Sequence, residues 1–271
     1  MNRPLRQQIE LVFSLAKRDL KARYKDSVLG FLWSLFRPAF LTLILWIVFS
    51  KILDSPFQTS NAPYWLHVLI SILVWNFFAG SLFDATLSVV GNASLLKKVR
   101  LDTEVFPIAA ILSNGVHFAL AFGLAVIAAV LAGAGIHWQI LLLPLYMLIL
   151  VVFLLGMALW LSALNVYYRD VANAIELAAM AWFYLTPIIY PLNLAAEQIM
   201  GRMGRAWFNI YMLNPMTPIV VAFRAAVLGG GEMAAAPLAG WLAAAFTAGL
   251  ILTLTGWLAF RRLSWRFADE L

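Results

Sequence analysis

The chain contains no cysteine, so its 271 residues can build neither a disulfide framework nor a thiolate metal site. Charged residues make up only 12% against 63% apolar, more apolar material than one water-soluble core of this length requires. The three histidines, His67, His117 and His137, are isolated from one another in sequence, which points to core or interface roles rather than a metal or proton-relay site. No GxxxxGK[ST] and no HExxH occurs, so an ATP site or a zinc-protease site of those kinds is excluded. No carboxylate pair suited to acid–base work is present either, and no catalytic residue and no metal ligand is assigned. The first twenty residues alternate charged and apolar types without a continuous apolar stretch, so a cleaved signal peptide is not expected.

What is abundant is long apolar sequence. A hydrocarbon layer about 30 Å thick needs roughly 20 helical residues. The segments 64–84, 106–132, 138–162, 171–190 and 238–260 meet that test. The segment 38–50 is too short alone and reaches the length only if GFLWSLF before it joins, which draws Arg37 below the interface, where it must snorkel or find a partner. With six spans and the N-terminus inside, all but four of the nineteen Lys and Arg residues fall on the inner side; Lys51, Arg202, Arg205 and Arg224 are the exceptions. The net charge of +6 therefore follows the positive-inside bias, and no nucleic-acid partner is expected. The apolar stretch 206–230 is broken by Asn214-Pro215 and Pro218. Its halves, 206–213 and 219–228, are each too short to cross, and counting them as one span would send Arg261, Arg262 and Arg266 outside. The stretch is expected to dip into the outer leaflet as two short re-entrant helices, with its loose backbone ends against protein or a wet cavity.

Two inward-facing elements stand out. Leu5, Ile9, Val12, Phe13, Ala16, Leu20 and Tyr24 recur at helical spacing with Arg6, Glu10, Lys17, Lys21 and Lys25 elsewhere on the surface, which predicts an amphipathic helix in the interface plane. Such a helix can be a membrane anchor, a docking surface for a cytoplasmic protein, or both. In 91–107, Asn92 can cap a short helix through Leu95, Leu96 and Val99, with Lys97, Lys98 and Arg100 making it polar enough to leave the bilayer. Pro107 then opens the next span.

Ionisable groups at membrane depth usually face protein or water. Asp84 lies near the inner end of the second span, and Asn173, Glu176, Met180 and Tyr184 follow Arg169 at spacings of three or four, a mixed polar and aromatic strip on one helix face. The strip either lines a pathway or packs inside the bundle. Trp182, Phe183, Tyr184, Tyr190, Trp207 and Tyr211 crowd the outward half, where they form an interfacial aromatic belt or a sugar-stacking surface.

The blocks RDLKARYKDSVLGFLWSLFRP (18–38), NASLLKKVRLDTEVFP, YYRDVANAIELAAMAWFYLTPIIYP (167–191), NPMTPIVVAFR (214–224) and RRLSWRFADEL (261–271) resemble, in order and over nearly the whole chain, the permease of bacterial type-2 ABC exporters for polysaccharides and polyol phosphates. The resemblance implies an all-α polytopic membrane protein in one transmembrane domain, 1–271. Its parts would be six transmembrane helices, an N-terminal amphipathic interface helix (3–26), a cytoplasmic coupling helix (92–100) and re-entrant helices within 206–228. It further implies a homodimer in the bacterial inner membrane with both termini cytoplasmic. Two copies of a separate ATPase would bind the ATP and Mg, with no cofactor on this chain. Lys17, Lys21, Leu95, Leu96, Lys97 and Lys98 would contact that ATPase. Trp33, Arg37, Asn173, Glu176 and Tyr184 are candidates for the lining of a channel between the permeases, and Arg37 or Arg224 could attract a phosphate or acidic sugar. The cargo implied is a lipid-linked polysaccharide such as an O-antigen. Teichoic acid or capsule polymer, a drug or small lipid, and a membrane-embedded glycosyl- or acyltransferase activity are the alternatives. The C-terminal block departs from common versions of the family, which leaves its contacts open.

Overall fold

The computed structural model describes residues 5–24, 32–52, 62–98 and 102–271, and among these it is all helix, with no sheet. Five helices are long and apolar enough to cross a membrane. The first is α2 (Leu32–Ile47) extended by a π-helical turn (Val48–Ile52). Its apolar span begins at Leu35, so it reaches membrane length only by taking in the segment around Arg37, as the residue count required. The other four are α3 (Tyr64–Gly91), α5 (Val105–Leu131), α6 (Leu143–Tyr167, entered through a 3-10 turn Trp138–Leu142) and α11 (Ala235–Leu263). Between them lie α1 (Leu5–Tyr24), α4 (Ala93–Lys98), α7 (Val171–Leu185), α8 (Leu192–Met203), α9 (Arg205–Met212) and α10 (Met216–Leu228); a short α12 (Phe267–Glu270) follows α11.

The central helix is α3, buried along most of its length, with α2, α5, α6, α7 and α10 around it. Between α6 and α11 the backbones come close at glycines. A Cβ on Gly156 would sit 2.5 Å from the Thr253 nitrogen, and one on Gly249 would sit 3.0 Å from the Phe153 backbone. Lipid tails are as apolar as leucine, so such a contact gains from close packing and from hydrogen bonds rather than from excluding water. Thr253 Oγ1 donates to the Val152 carbonyl at 2.8 Å and Trp160 Nε1 donates to Thr255 Oγ1 at 3.2 Å across the same seam.

Two clusters mark the ends of the bundle. At one end α1 lays Leu11, Val12, Leu15 and Ala16 against the start of α5, the end of α6 and the end of α11. We call this the arm end. The buried face differs from the predicted stripe, because Ile9 and Phe13 stay exposed while Leu11 and Leu15 pack inward. The arm carries apolar residues on two faces, and periodicity alone cannot say which one meets protein.

At the opposite end α9 and α10 meet at 80°. Both ends of α10 lie there: Asn214 just before it bonds the end of α7, and His137, at the entrance to α6, packs on Gly229 just after it. The prolines in this stretch predict such a break, and the two helices are sharply bent from one another here. Gly229 takes a left-handed φ of 69° and has no room for a side chain, since a Cβ there would fall 2.0 Å from the His137 ring. The helix α8 was not anticipated.

The predicted span 171–190 is shorter than expected. Its helix, α7, stops at Leu185 after fifteen residues because Thr186 precedes Pro187 and is held extended at φ −102°, ψ 141°. Residues 186–190 continue without helical structure beside α3.

Candidate functional site: an exposed polar helix face, a buried clamp and a helical platform

Breaking α7 at Thr186 leaves the carbonyls of its last turn without intrahelical partners. The hairpin supplies the partners. Asn214 donates through Nδ2 to the Leu185 carbonyl at 3.4 Å and to Thr186 Oγ1 at 3.0 Å, while its Oδ1 accepts from Trp182 Nε1 at 2.7 Å and from the Met216 backbone nitrogen at 3.1 Å. Arg224, only 1% exposed, donates Nη1 to the Pro187 carbonyl and to Ser71 Oγ (2.9 Å), and Nη2 to Glu232 Oε2 at 2.8 Å. Glu232 also accepts from the Leu192 backbone nitrogen at the start of α8, and its other oxygen lies 3.6 Å from His67 Nδ1. The Tyr64 hydroxyl donates to the Ile189 carbonyl at 2.7 Å. One buried clamp thus ties α3, the unwound end of α7, α8 and α10 together. Arg224 was a candidate for attracting cargo phosphate; its guanidinium is instead engaged inside the protein by an acidic neighbour. Ser71, Pro187 and Glu232 were missed. The available signal was an arginine in an apolar stretch with a glutamate shortly downstream.

The helix α7 has two contrasting faces. Ile175, Ala179, Trp182 and Phe183 pack on the core, where Trp182 meets Phe78 edge-on at 5.2 Å and Phe153 at 6.2 Å. The other face is open on the single chain: Asn173, Glu176, Leu177, Met180 and Tyr184 are exposed, Tyr184 to 65%. Among the described residues Glu176 has no ion pair. The aromatic set therefore divides, with Trp182 and Phe183 in the core and Tyr184 and Trp207 outside. Tyr190 and Tyr211 share a hydroxyl contact of 3.3 Å, and Tyr190 also donates to the Tyr184 carbonyl at 3.0 Å. On α2, Trp33, Phe36 and Arg37 are likewise exposed, with Trp33 edge-on to Phe36 at 6.4 Å. Both α2 and α7 rest on α3, so the sequence-predicted lining residues all lie on the open surfaces of two helices that share one support.

Asp84 is partnered at depth by Asn114, whose Nδ2 donates to its carboxylate at 2.7 Å and to the Ala110 carbonyl at 3.0 Å.

At the arm end, three segments distant in sequence form one platform. Arg18 Nη2 donates to Asn92 Oδ1 at 2.8 Å and Gln8 Nε2 donates to Asp102 Oδ2 at 2.7 Å, so α1 is fastened to both flanks of the loop that holds α4. Asn92 opens α4 through its backbone carbonyl, which accepts from Leu95 and Leu96; its side chain, expected to cap, bonds Arg18 and the Ser88 carbonyl instead. Leu95 and Leu96 pack into the arm-end cluster, so they seat α4, while Lys97 faces out, as do Lys17 and Lys21 on α1. The side chain of Lys98 and residues 99 and 100 of the predicted 92–100 element lie outside the described residues. The C-terminal segment closes the platform: α12 contacts α4, Phe267 packs edge-on to Phe260 at 5.4 Å and Tyr167 donates to the Leu263 carbonyl at 2.9 Å. Beside it, burial raises the Glu104 carboxyl above the usual carboxylate range, while a hydrogen bond from Trp257 and the charge of Arg261 oppose the rise.

Among the described residues no group of three or more His, Asp or Glu side chains could hold a metal ion. Residues 10–228 match the ABC-2 type transporter family. The chain belongs to that family. It is 28% identical over 268 residues to the O-antigen export system permease protein RfbA of Klebsiella pneumoniae, covering 97% of this chain and 95% of the relative. A second Klebsiella pneumoniae protein of that name is 27% identical over 264 residues, with the same coverage. The RfbA of Myxococcus xanthus is 30% identical over 223 residues, or 82% of each chain. The ABC-2 match ends at Leu228, so it takes in the platform's first two segments, α7 and the hairpin, but not Glu232 or the C-terminal brace.

Proposed function

We propose that this ABC-2 chain is the permease subunit of an ATP-driven exporter that moves a lipid-linked polysaccharide, of the O-antigen kind, across the bacterial cytoplasmic membrane. The observation that carries the reading is the open face of α7. Glu176 and Asn173 stand on a membrane helix with nothing of their own chain over them, and a carboxylate left in hydrocarbon costs about 2.5–3.5 kcal/mol at a helix centre. A second copy of the chain and a hydrated passage between the two copies remove that cost. In this dimer α7 is the sixth crossing, completed by the clamped segment 186–190, and both termini are cytoplasmic, the platform carrying them at the arm end.

A hydrated polymer needs a continuous polar or aromatic route through the bilayer. Tyr184 and Trp33 offer faces on which successive sugars can slide without one fixed hydrogen-bond pattern, and Arg37 offers a fork for phosphate or acidic sugars at the inner mouth. No bond in the glycan changes. ATP and Mg bind to two copies of a separate ATPase, which docks on the platform through Lys17, Lys21, Lys97 and Lys98. Closure of the ATPase pair pushes on α4, and α1, fastened to both flanks of the loop, carries the movement to α5 and α6. Cargo biases the outcome only by binding the two states unequally.

Two results test this. Deleting the gene should leave lipid-linked glycan accumulating inside the cell, and the wild-type chain should restore export, whereas Glu176→Gln should restore protein to normal abundance but export poorly. Equal loss of abundance and export would make Glu176 a packing residue. Reversing charge in Lys97→Glu with Lys98→Glu should strip the ATPase from purified membranes without lowering permease abundance; unchanged co-purification removes these lysines from the docking surface.

A further inference from the structure

Chain ends are ordered only where something ties them down, and a helix of four residues is too short to hold itself. Yet the C-terminal helix α12 begins with Phe267, a ring only 1% exposed. It meets Phe260 of α11 edge-on at 5.4 Å and Tyr167, the last residue of α6, at 6.1 Å. The Tyr167 hydroxyl donates to the Leu263 carbonyl at 2.9 Å, where α11 gives way to the tail, and Leu271 packs on the same cluster. The tail is thus folded back across the ends of α6 and α11.

On this tail lies α4. Of the described helices α12 gives α4 its broadest contact, and Leu95 and Leu96 pack on the cluster that Phe267 fills. The arm, by contrast, holds the two flanks of the α4 loop through side-chain hydrogen bonds at Asn92 and Asp102. A push on α4 therefore meets the tail first. Behind the tail stands the seam of α6 and α11, whose backbones touch at Gly156 and Gly249. A contact packed that closely shifts as a unit and does not deform gradually. Because α10 rests on both α6 and α11, a shift of the pair reaches the hairpin and its clamp.

We propose that the C-terminal tail is a transmission element, with Phe267 as the positioning residue that couples α4 to the α6–α11 pair. The proposal rests on the reading of this chain as a permease whose ATPase docks on the platform. It adds to the route through α1 a second one, which leads to the hairpin end. The ABC-2 match stops at Leu228 and does not take in this segment. Packing between the two ends of a route is not by itself coupling, so the deciding quantity is one that packing alone does not move.

That quantity is lipid-linked glycan exported per ATP hydrolysed, measured on the full chain reconstituted with its ATPase. In Phe267→Ala the ratio should fall about tenfold, a usual size for coupling between sites, while the ATPase still co-purifies and still hydrolyses ATP. Phe267→Leu, which restores apolar bulk, should recover most of the ratio. Phe77→Ala empties a comparable place in the main core; it should lower the thermal midpoint and leave the ratio unchanged. Tyr167→Phe keeps its ring and loses only the bond to Leu263, so it opens no cavity and should lower the ratio even if Phe267→Ala does not fold. An unchanged ratio in the folded Phe267 and Tyr167 variants would overturn the proposal. So would loss of ATPase co-purification in Phe267→Ala, which would make the tail a docking surface. A wild-type chain that binds no ATPase is a different result, and would overturn the permease reading itself.

Discussion

Replacing Arg224 with methionine is expected to cost most of the chain's folded stability. Methionine keeps much of the side chain's volume but leaves the Glu232 carboxylate buried without its cation and the Pro187 carbonyl without that donor. Breaking a buried pair from one side typically costs about 3–5 kcal/mol, mostly the penalty of the charge left behind, which is a large part of ordinary folding stability. The loss should appear as a marked fall in membrane abundance and in the thermal midpoint of the purified chain. Two companions give the result meaning. Arg224→Met with Glu232→Gln removes the stranded charge and should recover part of the loss, whereas Arg205→Met, at an exposed position on the same hairpin, should change little. If the single and double variants fall equally, the ion pair is not what Arg224 contributes, and its role reduces to closing the end of α7.

Leucine at Gly156 should be nearly as damaging for a different reason. The new Cβ would meet the Thr253 nitrogen at 2.5 Å and the Leu252 carbonyl carbon at 2.7 Å, and neither backbone atom can turn aside. The helices must separate, stretching the Thr253–Val152 and Trp160–Thr255 hydrogen bonds along the seam. Overpacking alone costs about 1–3 kcal/mol, occasionally more, and leucine is a better helix former than glycine by most of a kcal/mol, so any loss reflects packing and not propensity. Gly240→Leu on α11 is the control, because nothing lies within 4 Å of its Cβ position. It should be neutral or slightly stabilising, while Gly156→Leu should aggregate on extraction.

What could be read from residues alone followed from how each kind of signal is encoded. Proline breaks are local, so the bend between α9 and α10 and the need for α2 to include Arg37 were both legible. The polar strip of α7 was legible because Asn173 and Glu176 contrast with everything around them. Partners were another matter. A helix apolar on every side carries no mark of which side meets lipid and which meets protein, since both are equally apolar, and so the α6–α11 seam could not be assigned. The arm misled in the same way: Ile9 and Phe13 look as suited to burial as Leu11 and Leu15. The clamp was mostly hidden for a topological reason, because Ser71 and Pro187 lie far from Arg224 in sequence, and only Glu232, shortly downstream, was a local signal. Asn92 shows a smaller version of this, its side chain drawn away from a local cap by Arg18 on a distant helix.

The central claim is that the face of α7 bearing Asn173, Glu176 and Tyr184 is turned away from lipid in the working assembly. Because the chain has no native cysteine, single substitutions Asn173→Cys, Glu176→Cys and Tyr184→Cys can each carry one spin label. Leu254→Cys, on the exposed surface of α11, serves as a lipid-facing reference. In liposomes containing the assembled exporter, collision with molecular oxygen, which concentrates in hydrocarbon, should be low at the three α7 positions and high at 254. A water-soluble nickel chelate should reach the α7 labels more readily than the reference. Oxygen accessibility at 173, 176 and 184 equal to that at 254 would contradict the account, because it would place a carboxylate strip in lipid with no second copy and no passage to cover it.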